Sequence, residues 1–224
     1  MTRAALFDVD GTLVDTNHLH VVTWWEAFRQ SGHDVTMHDI HRAIGLGSDD
    51  LVEHLLGEDR DRDEDEKLAA AHTALYGAYF ERLPPLDGAR DLLRELASRG
   101  WRIVLATSAG GPELKALRRA IGADDVIEGV ASADDVSEGK PAPDPVHRAL
   151  ELAGAEPSDA VFVGDTVWDM KAARSAEVRA VALLTGGIAR ADLEDAGAQA
   201  VYGDPAELLS HLDTSVFAQL ERTD

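Results

Sequence analysis

A chain of 224 residues has room for one ordinary domain, or for one domain carrying a sizeable insertion. Hydrophobic residues make up 45% of it, enough for a real core, and the absence of cysteine excludes a disulfide scaffold, thiolate chemistry and a cysteine–zinc site. The formal net charge of −21 makes nucleic acid a poor partner, and it requires any phosphate-binding site to be locally positive through a metal or a lysine.

The first apolar run, Ala4–Val9, is interrupted by Asp8 and followed by Asp10. On that break no secretory signal is expected, since one needs about 7–15 uninterrupted apolar residues. No run elsewhere approaches the roughly 20 residues of a membrane span. A cytoplasmic protein with no membrane partner is expected. From Thr16 to Leu83 the pattern is helical throughout, with helices predicted at His18–Gln30, His38–Ile44, Asp49–Leu56 and Lys67–Arg82. The charged run Glu58–Lys67 inside this segment reads as a solvated loop and helix start. Leu83-Pro84-Pro85-Leu86 then stiffens the return of the chain.

Beyond that point short apolar runs alternate with amphipathic ones. Strands are predicted at Arg102–Ala106, Ala160–Val163 and Ala180–Leu184, with a weaker one at Ala198–Tyr202. Helices are predicted at Ala89–Ser98, Pro112–Ile121 and Pro145–Ala153. The expected fold class is therefore α/β: a Rossmann-like parallel sheet core flanked by helices, with an inserted all-helical cap subdomain. The core is expected to comprise residues 1–15 and 84–224, and the cap residues 16–83.

Ligands of an open parallel sheet bind at the carboxyl ends of its strands. After the first strand comes Asp8-Val9-Asp10-Gly11-Thr12, where residues two apart project the same way. After the second comes Thr107-Ser108-Ala109-Gly110-Gly111, hydroxyls and free N–H groups ahead of a helix. Lys140 sits in the proline-stiffened Gly139-Lys140-Pro141-Ala142-Pro143-Asp144, and Asp165 and Asp169 lie in Gly164-Asp165-Thr166-Val167-Trp168-Asp169. Each motif alone reads as a turn, a helix N-cap or a solvated lysine. Together at the ends of successive strands they do not. Converging carboxylates repel one another and raise each other's pKa values, which a hard divalent cation such as Mg²⁺ relieves. Lys140 adds the further positive charge that a phosphate substrate needs.

In this combination the motifs resemble the haloacid dehalogenase superfamily of phosphohydrolases, and the resemblance covers essentially the whole chain. The helical insert is similar to the cap of phosphoglycolate phosphatases and β-phosphoglucomutases. The resemblance implies that Asp8 is the nucleophile forming an aspartyl-phosphate and that Asp10 is the acid/base. It implies that Thr107 or Ser108, with Ala109 and Lys140, holds the phosphoryl group. Mg²⁺ would be bound by Asp8, the Asp10 carbonyl and Asp165, with Asp169 either a ligand or a partner of Lys140. The expected activity is that of a phosphatase on a small phosphorylated metabolite, a sugar phosphate among the candidates, in a monomer or weak dimer. A sugar phosphomutase shares the same catalytic residues. A non-catalytic metal- or phosphate-binding regulator would not need both Asp8 and Asp10. Glu177 stands where many relatives carry glycine, which predicts a local change of turn.

Within the cap, Asp15-Thr16, His20 and Trp24 follow a pattern similar to β-phosphoglucomutase-like members. His20 either steers Asp10 or touches substrate, unless it is a plain helix-surface histidine. His18 is two residues away and faces elsewhere, against a two-histidine metal site. Arg42, beside Gly45 and Gly47, either meets a second anionic group of the substrate or caps a helix at the surface. Trp24 and Trp25 read as cap core more than as substrate stackers.

Overall fold

The computed structural model describes residues 2–222. Among these, six parallel strands form one sheet: β1 (Ala4–Phe7), β2 (Arg102–Ala106), β3 (Ile127–Ala131), β4 (Ala160–Gly164), β5 (Arg179–Leu183) and β6 (Ala200–Tyr202). Their spatial order is β3-β2-β1-β4-β5-β6, so β1 is central, with Phe7 opposite Leu105 on one side and Val163 on the other. All four β1 residues are buried because both faces of the sheet carry helices. Ala5 and Phe7 enter a layer built with α5 (Ala89–Ser98), α6 (Gly111–Ile121), α10 (Pro205–Ser210) and α11 (Val216–Glu221). Ala4 and Leu6 enter the opposite layer, with α7 (Asp144–Ala153), α8 (Val167–Ser175) and α9 (Arg190–Ala196). Each fully buried Leu or Phe in these layers contributes about 1.5–3 kcal/mol.

The strand order reverses at β1: the chain runs outward to β3, then returns to place β4 on β1's free side. That switch point leaves a crevice beyond the carboxyl ends of β1 and β4, where an α/β sheet binds its ligands.

Four helices fill the segment between β1 and α5: α1 (Asn17–Gln30), α2 (Met37–Ala43), α3 (Ser48–Leu56) and α4 (Asp65–Gly77). They share an apolar cluster of their own that includes Trp24, Phe28, Ile40, Leu51 and Leu68. The chain leaves and re-enters the sheet layer side by side. Asp15 N–H donates to Pro84 O at 2.9 Å, and Leu86 N–H donates to Leu13 O at 2.9 Å.

Two expectations change. The edge strand β3 was not predicted, because Ile127-Glu128-Gly129 breaks the apolar run and most of the strand is only partly buried. The helix expected over Lys67–Arg82 stops at Gly77 and gives way to a 3₁₀ turn at Phe80–Arg82, as a glycine's low helix propensity allows. Glu177, after α8, adopts the left-handed conformation at φ +59°, a strain of roughly 1–2 kcal/mol for a non-glycine residue. Within Glu58–Lys67 the side chain of Arg60 is only 6% exposed and pairs with Asp65 at 2.8 Å and Glu53 at 3.0 Å, binding α3 to α4. Among the described residues no helix is long and apolar enough to cross a membrane.

Candidate active site

Asp8 follows β1 directly, and its N–H donates to Val163 O of β4 at 2.9 Å, which fixes it over the switch point. Its Oδ1 lies 2.5 Å from Lys140 Nζ. The same ammonium lies 2.7 Å from Asp169 Oδ1. Lys140 is 1% exposed, on the loop that leads into α7. Burial works against its charge, but Asp169 and Asp8 outweigh that and push its pKa up. Thr12 Oγ1 donates to Asp165 Oδ1 at 2.8 Å, and Asn17 Nδ2 donates to Asp165 Oδ2 at 2.7 Å. Gly11 makes the tight turn possible: its φ is +76°, and a Cβ there would strike Asn17 and Asp165.

Carboxylate oxygens of Asp8, Asp165 and Asp169 all lie within 4.8 Å of one another, and all three residues are buried. Burial, reinforced by the charges of Asp169 and Asp10 and relieved in part by Lys140, pushes Asp8 up to about 7. Asp165 is pushed well up by burial and by the charges of Asp8 and Asp169. Three carboxylates against one ammonium leave two negative charges uncompensated, the charge of one divalent cation. The donor set fits such an ion. Asp169 has the least freedom to serve it, because its Oδ2 accepts from Thr166 N–H at 3.0 Å and Oγ1 at 2.6 Å while its Oδ1 faces Lys140.

The side chain of Asp10 does not join this group. Its Oδ1 accepts from Thr16 Oγ1 at 2.6 Å and pairs with His20 Nε2 at 3.2 Å, and Glu113 of α6 lies 3.7 Å from the same His20 nitrogen. The reason is local: β1 ends at Phe7, so the strict alternation that would aim Asp8 and Asp10 together has already lapsed. The two carboxylates instead border one small chamber of about 90 Å³ from different sides.

His20 is buried, which lowers its pKa, yet its hydrogen bond to Asp10 and the charges of Asp10, Glu113 and Asp8 raise it overall. Asp10 is held low: burial opposes its charge, but His20 and Thr16 outweigh it. His20 Nδ1 faces His72 Nε2 at 3.4 Å, and His72 Nδ1 faces Thr23 Oγ1 at 3.0 Å. Burial and the neighbouring His20 push the pKa of His72 down to about 2. The unfolded chain takes up the His72 proton near pH 6.5 and the folded protein does not, so stability at this residue is full above 6.5 and falls as pH drops below it, by up to about 1.4 kcal/mol per unit. His72→Phe retains an aromatic ring in the stack on Trp24, whose centroid is 4.2 Å away. Its melting temperature is expected to fall less steeply than the wild type's between pH 6.5 and about 5. Parallel slopes would contradict that.

Of the remaining predicted residues, Ser108 borders the chamber, while Thr107 is buried in its loop. Ala109 also borders it, although its N–H already donates to Thr107 Oγ1 at 3.1 Å. Gly45 brings the loop after α2 against this loop: φ is +104°, a Cβ would meet Thr166, and its carbonyl lies 3.5 Å from Ser108 Oγ. Of the two readings of Arg42, the structure shows the surface one: Ile40 and Ala43 take the buried face of α2, so Arg42 points outward and its guanidinium pairs with Asp192 at 3.3 Å. His18 is exposed and stacks on His41, away from His20. Trp24 is buried in the helical cluster and also walls the chamber; Trp25 packs at the cluster's edge.

Glu113, His72, Thr12 and Asn17 escaped the sequence reading. Glu113 looks like an ordinary first-turn acid of a helix, and His72 sits 52 residues from His20 with no spacing that links them. Thr12 and Asn17 adjoin the first motif, where a hydroxyl and an amide beside two aspartates were a usable signal.

An α/β switch-point crevice furnished with paired carboxylates and a buried lysine, beside an inserted helical layer, defines a class of enzyme. The haloacid dehalogenase-like hydrolase profile matches residues 2–177, and the chain belongs to that family of hydrolases. It is similar to a phosphoglycolate phosphatase of Rhodospirillum rubrum, 31% identical over 219 residues that cover 93% of this chain and 90% of that protein. The crystal structure of a hydrolase from Pseudomonas syringae superposes with a TM-score of 0.90 at 35% identity, over 96% of this chain and 99% of that one. CbbY from Rhodobacter sphaeroides in complex with phosphate superposes with a TM-score of 0.76 at 28% identity, over 95% and 100% of the two chains.

Proposed function

We propose that the protein is a Mg²⁺-dependent phosphatase that hydrolyses a small phosphorylated metabolite through a phosphoryl group carried on Asp8. The observation that supports it most is the placement of two aspartates with different electrostatics on one chamber. Asp8 lies beside an ammonium in a cation-ready cluster, and Asp10 lies beside a proton-bearing histidine.

In this reading Asp8 Oδ attacks phosphorus and the ester P–O bond breaks. The departing oxygen takes a proton from the Asp10–His20 pair, which holds one in the resting site. Asp10 then takes a proton from water as that water attacks phosphorus, releasing phosphate and restoring Asp8. Lys140, locked by Asp169, and the Ser108 hydroxyl hold the phosphoryl oxygens; Thr107 keeps the loop in shape. Mg²⁺ held by Asp8, Asp165 and the Asp10 carbonyl supplies charge neutralisation for the transferring phosphoryl group. Residues 16–83 act as a cap on a core of residues 1–15 and 84–224, excluding water from the leaving group. Being named for phosphoglycolate, the R. rubrum relative supports the phosphatase class.

Phosphate release from a panel of phosphomonoesters tests the reading, with the acid role isolated by Asp10→Asn. Esters of alkyl alcohols need a proton on departure, so their kcat/KM should fall roughly 10²–10⁴-fold in that variant. p-Nitrophenyl phosphate, whose leaving group needs no such help, should lose less in its first step. An equal loss for both ester types would remove Asp10 as the acid, and an absence of phosphate release from every ester would remove the function.

A further inference from the structure

Phosphate esters differ in what the alcohol carries, and the chamber discriminates on that. Among the described residues bordering it there is no Lys or Arg. Lys140 is locked between Asp8 and Asp169, and Arg42 is turned outward to Asp192. The basic group nearest Asp10 on the chamber wall is His20, and it is already flanked by two acidic side chains, Asp10 at 3.2 Å and Glu113 at 3.7 Å. His72, the other histidine on the wall, is neutral. Outside the chamber an open cleft of about 1110 Å³ continues the same character, bordered by Asp50, Glu53 and Glu138, again with no Lys or Arg among the described residues. Lys171, whose ammonium lies 4.6 Å from the centre of the Trp168 ring, borders neither cavity.

We propose that Glu113 is a specificity-determining residue that restricts substrates to phosphate esters of neutral or amine-bearing alcohols and rejects esters whose alcohol carries a second anion. This rests on the phosphatase reading above and goes beyond it. Asp10 is required by the chemistry, whereas Glu113 touches no reacting atom; burial pushes its pKa up to about 7, so at pH 8 it adds a second carboxylate to the chamber wall. A further anion brought to about 5 Å from that carboxylate, in a chamber too small to hold many screening waters, meets repulsion with nothing to offset it. Phosphoglycolate is such an ester. The chamber therefore sets this chain apart from what the R. rubrum relative's name describes, despite the shared family.

Competition against p-nitrophenyl phosphate hydrolysis, with Mg²⁺ present, measures the preference whether or not each competitor is turned over. Glycerol 3-phosphate and phosphoethanolamine are expected to inhibit with constants at least about tenfold lower than phosphoglycolate. In Glu113→Gln, checked for folding by circular dichroism, the gap is expected to shrink to within about threefold. Phosphoglycolate binding as tightly as the other two in the wild type overturns the proposal, and so does a wild type that admits none of the three. An undiminished gap in folded Glu113→Gln removes Glu113 as its cause. Should that variant misfold, Glu113→Ser takes its place, and the wild-type order still decides the substrate class. If the wild type fails to hydrolyse p-nitrophenyl phosphate under any condition, the phosphatase reading itself fails and carries this inference with it.

Discussion

Asp8→Asn is expected to lower turnover by roughly 10⁴-fold or more, the scale on which enzymes lose activity when the attacking group is removed. The same substitution should leave the protein folded and its melting temperature unchanged or raised. The backbone bond from residue 8 to Val163 O does not involve the side chain, and Lys140 keeps Asp169 as a partner. What disappears is a carboxylate that burial has already pushed up to about 7, a charge the fold tolerates poorly when no cation is bound. Parallel steady-state kinetics and thermal melts separate the two effects. Activity within tenfold of wild type would remove Asp8 as the nucleophile. Lost activity with a collapsed melt would make it structural.

Removal of divalent metal by EDTA is expected to reduce phosphatase activity to the level of the Asp8→Asn variant, and Mg²⁺ is expected to restore it. Without a cation, Asp8, Asp165 and Asp169 share one ammonium in a buried site, and burial raises the pKa values of Asp8 and Asp165, favouring protons that the chemistry needs gone. The effect should also appear in stability. The folded protein keeps the Asp8 proton up to about pH 7, whereas the unfolded chain releases it near 3.8. Stability from this group is therefore full below 3.8 and is lost as pH rises toward 7. Added Mg²⁺ should accordingly raise the melting temperature more at pH 7 than near pH 4, by binding the folded state alone. Full activity in EDTA, or a Mg²⁺ shift that is larger at the acid end, would contradict the cation's role.

The sheet was legible where its strands are buried on both faces, since Ala4–Phe7, Arg102–Ala106 and Ala160–Gly164 read as unbroken apolar runs. It was illegible at β3, where an edge strand with Glu128 and Gly129 has no such need. In the site, everything that follows a strand end could be found, because topology guarantees that strand ends converge. Asp8, Ser108, Asp165 and Asp169 were reached that way, and Lys140 from its proline-stiffened loop between strands. The two residues that give the chamber its character were not. His72 meets His20 only through the packing of α4 on α1 within the insert, and Glu113, from the first turn of α6, meets it only through the docking of the insert on the sheet layer. Arg42 shows the converse: its sequence neighbourhood suggested the site, and one residue's rotation around α2 sent it to the surface.

Transfer of the phosphoryl group to Asp8 is tested most directly by trapping it. Asp10→Asn mixed with p-nitrophenyl phosphate and Mg²⁺ should release one equivalent of p-nitrophenolate per site in a burst. Acid quench and borohydride reduction should then convert residue 8 alone to homoserine, read by peptide mass spectrometry. Continued turnover with residue 8 unmodified, or modification at another carboxylate, would contradict it.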